Sequence, residues 1–213
     1  MLETIRRSIE EFPVLYMIIA AVAVLCVVLW AAAMRAARRR RGEKEALIAV
    51  LEYEKALRME FKTVTQQTLI DTPPERLVEG MCCSVQMDLE AQPDMQAAYG
   101  ALTEPRRLIY ALGYVIQDGR GALSEFFRKN GQPLTKAALE AVWRFVGGEC
   151  AAIFESEYDA FDGENEAVSL IKGDIAAADA RYGELARAQG EGLYAEAKEY
   201  ILANSGHFVA PAV

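Results

Sequence analysis

The sequence is poor in the groups that carry out chemistry. It has a single histidine, His207, in the run Asn-Ser-Gly-His-Phe, with no serine or cysteine pattern around it to mark a nucleophile. Its four cysteines, Cys26, Cys82, Cys83 and Cys150, lack the two-residue spacing of a zinc site, and four thiols in 213 residues are too few for a disulfide framework. Buried, reduced thiols are the expectation, and Met81, Val85 and Met87 around Cys82-Cys83 point the same way. No metal and no cofactor is expected. Period-two alternation is absent over any useful length, so no strand is expected either.

Positive charge is scarce beyond the first 45 residues. The remaining 168 hold 15 Lys/Arg against 26 Asp/Glu, a net charge of −11. A body of that sign does not bind bare nucleic acid, because phosphate contacts need cations that displace counterions. An acidic protein surface suits a basic protein partner instead, and a small-molecule substrate is not expected.

Against these absences stands one long apolar run, VLYMIIAAVAVLCVVLWAAAM, residues 14–34, without a charge in it. At 1.5 Å per residue it reaches roughly 30 Å, the thickness of a bilayer's hydrocarbon layer. A transmembrane helix is the expectation, with Tyr16 and Trp30 near its ends. Arg35, Arg38, Arg39, Arg40, Arg41 and Lys44 follow it and only Arg6 and Arg7 precede it, which places the C-terminal side in the cytoplasm and offers the collar to anionic headgroups. Ala31-Ala32-Ala33 resembles a signal-peptidase site, but the length of the run and the arginines behind it favour an uncleaved anchor. The chain is thus expected to be a single-pass inner-membrane protein: residues 1–13 outside, 14–34 in the bilayer, 35–45 a basic collar, 46–104 connecting helices and 105–213 a helical domain.

The rest reads as all-α, a helical bundle. Leu47, Val50, Leu57, Phe61 and Val64 recur at helical spacings over residues 45–64, a segment that could also dimerise the anchor. Prolines restart the chain at 73–74, 93 and 105, predicting helices over 75–91, 94–102 and 105–117. GRGALSEFFRKNG, residues 119–131, asks whether its glycines cradle a ligand or turn a corner. A phosphate loop needs a preceding strand and a Gly-Lys-Ser/Thr or a third spaced glycine, and neither is present. Gly119 and Gly121 are expected at positive φ or at a close approach of helices in a corner.

Over residues 108–208 the chain resembles a domain of unknown function whose best-known member is a bacterial DNA-mimic protein. The likeness rests on GRGALSEFFRKNG, on the Ala/Leu-rich helix that ends at an apolar-glycine break, and on DIAAADARYGELARAQGEGLYAEAKEYILANSGHF. Gly121, Phe126, Phe127, Gly147 and Tyr182 fall on the family's structural positions. Where the family has an Asn-Gly-Gly-aromatic turn this chain reads Arg120-Gly121-Ala122-Leu123, and Lys129 replaces an asparagine. The resemblance implies an all-helical bundle without known catalysis, a closing pair of helices joined by a short loop, and, in one relative, carboxylates that imitate DNA phosphates toward a DNA-binding protein.

The residues themselves allow such a face. Ala151, Phe154, Tyr158 and Phe161 form an apolar stripe, while Glu155, Asp159, Asp162 and Glu166 follow one another at four, three and four on an adjoining face. Residues 149–166 hold seven acids and no base. A protein-interaction module binding a basic partner is therefore the functional expectation, beside a solvated face that only keeps the domain dispersed, a structural anchor, or an enzyme whose site the sequence does not reveal.

Overall fold

A computed structural model describes residues 13–161 and 175–209, and all the regular structure among them is helical. The chain divides into two compact units, Met1–Glu54 and Lys55–Val213. One helix, α1 (Pro13–Glu60), runs through the division. In the first unit the described side chains of α1 lie mostly in the open, including Leu47 at 59% and Val50 at 61% exposure, and so do Arg35, Arg38, Arg39, Arg40, Arg41 and Lys44.

The membrane expectation is corrected here: among the described residues no helix is long and apolar enough to cross a membrane. The apolar run lies in the first part of α1. Beyond it the same helix continues through the arginine cluster instead of ending there. The single-pass topology and the inner-membrane location fall with the span. Arg6, Arg7 and the side chain of Tyr16 lie outside the described residues.

The second unit takes up α1 at Leu57, whose side chain, with Phe61 and Val64 just beyond the helix, enters the core. The amphipathic pattern read over residues 45–64 is thus split: its first half stays exposed and its second half is core. After α1 come α2 (Gln66–Asp71), α3 (Pro74–Glu90), α4 (Met95–Gly100), α5 (Glu104–Asp118), α6 (Leu123–Lys129), α7 (Leu134–Phe145), α8 (Gly148–Ala160), α9 (Ile175–Ala203) and a closing 3-10 turn (Ser205–His207). The three proline-opened helices lie within two residues of their expected limits. Prolines at the first helical turn cost no hydrogen bond, and Thr65 and Asp94 cap α2 and α4 with their side chains.

Helix α5 is the spine, packed against α3, α6 and α7. Ile109, Ala111, Leu112 and Val115 give it a buried face. Close approach is set by glycine: a Cβ on Gly113 would stand 2.5 Å from Cys82 Sγ, and one on Gly80 would stand 2.2 Å from the ring of Phe61. Gly80→Ala forces a fully buried ring to move, and a loss of about 1–3 kcal/mol is expected, read as a lower urea midpoint with unchanged slope.

Helix α9 packs across α3, α8, α6 and α2 as one 29-residue element. The expected pair of closing helices with a loop between them is not found. Gly190 and Gly192 lie inside α9. Near its C-terminus Lys198 donates to the carbonyls of Ile70 and Thr72 at 2.8 and 2.7 Å, satisfying groups that the end of α2 leaves open.

Candidate functional site

The segment 119–122 turns a corner between α5 and α6, as its composition implies. The corner is tied by Asp118, which accepts from Lys129 Nζ at 3.2 Å and from Asn130 Nδ2 at 2.9 Å. The backbone geometry differs from expectation. Gly119 has φ −85°, and the positive-φ glycines are Gly147 and Gly148, at 62° and 56°, where α7 gives way to α8. Nor do Gly119 and Gly121 mark a close approach of helices: a Cβ on Gly119 would meet the Val115 carbonyl oxygen of its own helix at 2.6 Å, and one on Gly121 would meet nothing within 4 Å.

The corner also forms one wall of a half-open cleft of about 430 Å³, within the range of ordinary ligand pockets. Leu112, Val115 and Ile116 of α5 supply the apolar floor, and Gly119, Arg120 and Gly121 the end wall. The opposite wall is one stripe of α9: Asp179, Tyr182, Gly183, Ala186, Arg187, Gly190, Leu193 and Tyr194, the three-and-four spacing of a single helix face. Three of its lining glycines, Gly121, Gly183 and Gly190, have nothing within 4 Å of where a Cβ would stand. The space exists because those side chains are missing.

Behind the cleft lies a second feature. Asp179 accepts from the Ser124 backbone N–H at 2.8 Å and from the Ser124 hydroxyl at 2.7 Å, so α9 caps the first turn of α6. Beside Asp179 stands Glu157, only 3% exposed, and neither of its oxygens receives a hydrogen bond from a donor among the described residues. Its contact is the carboxyl of Asp179 itself. A carboxylate so close disfavours a second negative charge, so the buried Glu157 is the one favoured in its neutral form. Burial, then the charge of Asp179 and the hydrogen bond to it, push Glu157 up to about 8, with the Arg128 guanidinium pulling weakly the other way. Burial likewise raises the neighbouring Cys150 thiol to about 11 and raises the Tyr182 phenol. These are core groups held neutral.

The expected acidic face is only partly assembled. Glu155 and Asp159 are exposed on α8, and Asp162 and Glu166 lie outside the described residues. The wider acid run is not uniform, because Glu149 pairs with Arg181 at 2.8 Å and Glu157 is buried. Residues taken from the family resemblance prove to be core or corner. Phe126 and Phe127 pack against Phe154, whose ring also lies 6.5 Å from that of Tyr182, while Gly121 lines the cleft and Gly147 turns the chain.

Sequence reasoning missed Arg120, Asp179, Arg187 and Tyr194 as members of one site. The signal was present as Gly183, Arg187 and Gly190 at helical spacing, glycines where an alanine-rich helix has no need of them. Among the described residues no group of histidine, cysteine and carboxylate side chains could hold a metal ion. Compared with known protein families, with characterised proteins and with solved structures, the chain matches none.

Proposed function

We propose that the second unit is a binding module, without chemistry of its own, whose cleft between α5, the 119–121 corner and α9 receives the apolar body of a ligand. One observation carries this reading. Gly183 and Gly190 sit in the interior of α9, where each costs about 1 kcal/mol relative to alanine, and both face open space that alanine would fill without a clash. Stability alone favours alanine there; an open cleft favours glycine.

Filling the cleft separates the two demands. Gly190→Ala is expected to raise the unfolding free energy of the full chain by about 0.5–1 kcal/mol. Gly183→Leu/Gly190→Leu is expected to remove one equivalent of the neutral dye Nile red from the total bound, without loss of helicity. Equal dye binding by the filled variant and the wild type would end this reading.

A second reading keeps the acidic face. Glu155 and Asp159, four residues apart and exposed on α8, make no ion pair with a described residue, and like charges so placed repel until a cation arrives. Capture of a basic protein that is lost in Glu155→Gln/Asp159→Asn and weakened by salt is its expected signature.

A further inference from the structure

The charge of the cleft does not match the charge of the domain around it. The second unit contains nine arginines in an acidic background. Seven are in ion pairs: Arg58 with Glu90, Arg76 with Glu60, Arg106 with Asp88, Arg107 with Glu140, Arg128 with Glu125, Arg144 with Glu196, and Arg181 with Glu149 and Glu184. The other two, Arg120 and Arg187, make no ion pair with a described residue, and both line the cleft. With so many carboxylates on the surface, two unpaired guanidinium groups at one opening are not what random placement gives.

Each has a neutral neighbour. Arg187 Nε donates to the Gly183 carbonyl at 2.8 Å, which leaves its other N–H groups uncommitted among the described residues. Arg120 stands near the Tyr194 hydroxyl, where its charge opposes the burial and the Glu75 and Glu79 carboxylates that raise that phenol. The one carboxylate on the cleft wall, Asp179, is engaged by the Ser124 backbone N–H and hydroxyl, from both of which it accepts. The lining therefore offers an apolar floor, two guanidinium groups without an ion-pair partner among the described residues, and one carboxylate already engaged by Ser124.

Resting on the binding reading above, we infer that the ligand is a small amphipathic anion, its carboxylate or phosphate head between Arg120 and Arg187 and its apolar body over Leu112, Val115, Ile116 and Leu193. Guanidinium groups suit both heads, since each presents forked N–H donors to paired oxygens.

The experiment is a titration of the full chain, wild type, Arg120→Gln/Arg187→Gln and Gly183→Leu/Gly190→Leu, with dodecanoate, dodecyl phosphate, 1-dodecanol and Nile red. One equivalent of anion that binds at least tenfold tighter than the alcohol, weakens tenfold or more in the arginine variant and vanishes in the filled variant supports the inference. Whether dodecanoate or dodecyl phosphate binds more tightly assigns the head. Nile red is expected to bind the arginine variant as it binds wild type, which shows that the cleft is intact there. Alcohol and anion binding alike, in wild type and in the arginine variant, would overturn the anionic head while leaving the cleft as an apolar site. If no probe responds to the leucine substitutions, the cleft reading and the inference fail together.

Discussion

Phe154→Ala should lower the unfolding free energy of the second unit by about 3–5 kcal/mol, the range for deleting a fully buried aromatic side chain. Phe154 is fully buried where three helices meet. Its ring centroid lies 5.7 Å from that of Phe126, 5.0 Å from Phe127 and 6.5 Å from Tyr182, so one side chain joins α6, α8 and α9. Removing it leaves a cavity bordered by rings too large to collapse into the space, and three tilted ring contacts are lost together. Against a typical stability of about 5–15 kcal/mol, that is enough to leave a substantial unfolded fraction at mild urea concentrations. Urea unfolding followed by circular dichroism checks it. A loss under 1 kcal/mol would mean that the aromatic cluster is not the junction of these helices. Phe161→Ala serves as the comparison, because Phe161 is only partly buried and touches a single ring of the cluster, and a markedly smaller loss is expected.

Glu157→Gln is expected to stabilise the protein, and increasingly so as pH rises. The folded pKa of Glu157 stands near 8 against an ordinary 4.5. In the unfolded chain the carboxyl therefore gives up its proton near pH 4.5, while the folded protein retains it up to about pH 8. Below pH 4.5 the group contributes no penalty; between 4.5 and 8 stability declines as pH rises, because the folded state binds the extra proton. At about 1.4 kcal/mol per pH unit, discounted for relaxation around the pair, the decline amounts to roughly 2–3 kcal/mol. Glutamine keeps the shape and donates to Asp179 at every pH. Its stability should match wild type near pH 5 and exceed it by about 2–3 kcal/mol at pH 8. The groups facing Glu157 are Asp179 and Tyr182 on α9, Arg128 on α6 and Cys150 on its own helix, all retained in the variant, so the difference between the two proteins isolates one proton. Parallel pH profiles would show that the fold does not hold Glu157 neutral.

Much of the fold was legible because its signals are local. Pro74 and Pro105 mark helix starts through their fixed φ, and Leu108, Leu112, Val115 and the Phe126-Phe127 pair announce buried faces through spacing alone. What was not legible depends on partners far away in sequence. Glu157 counts as one more surface acid until Asp179 is placed beside it, although its spacing of three from Phe154 puts it on the buried side of α8. Arg120 looks like a turn residue until α9 crosses it. The helix-ending value of Gly190 and Gly192 was overridden by the packing of α9 on its neighbours, since tertiary burial outweighs a penalty of about 1 kcal/mol per glycine. For residues 14–34, length and lack of charge predict a span, whereas among the described residues no helix is long and apolar enough to cross a membrane.

Helix α9 is fastened near both ends, by Asp179 to the first turn of α6 and by Lys198 to the last carbonyls of α2, and the cleft lies along the span between those fastenings. It is a beam on two supports. Such an opening resists widening: the distance between its walls is set by where α9 is tied down and not by what lies between them.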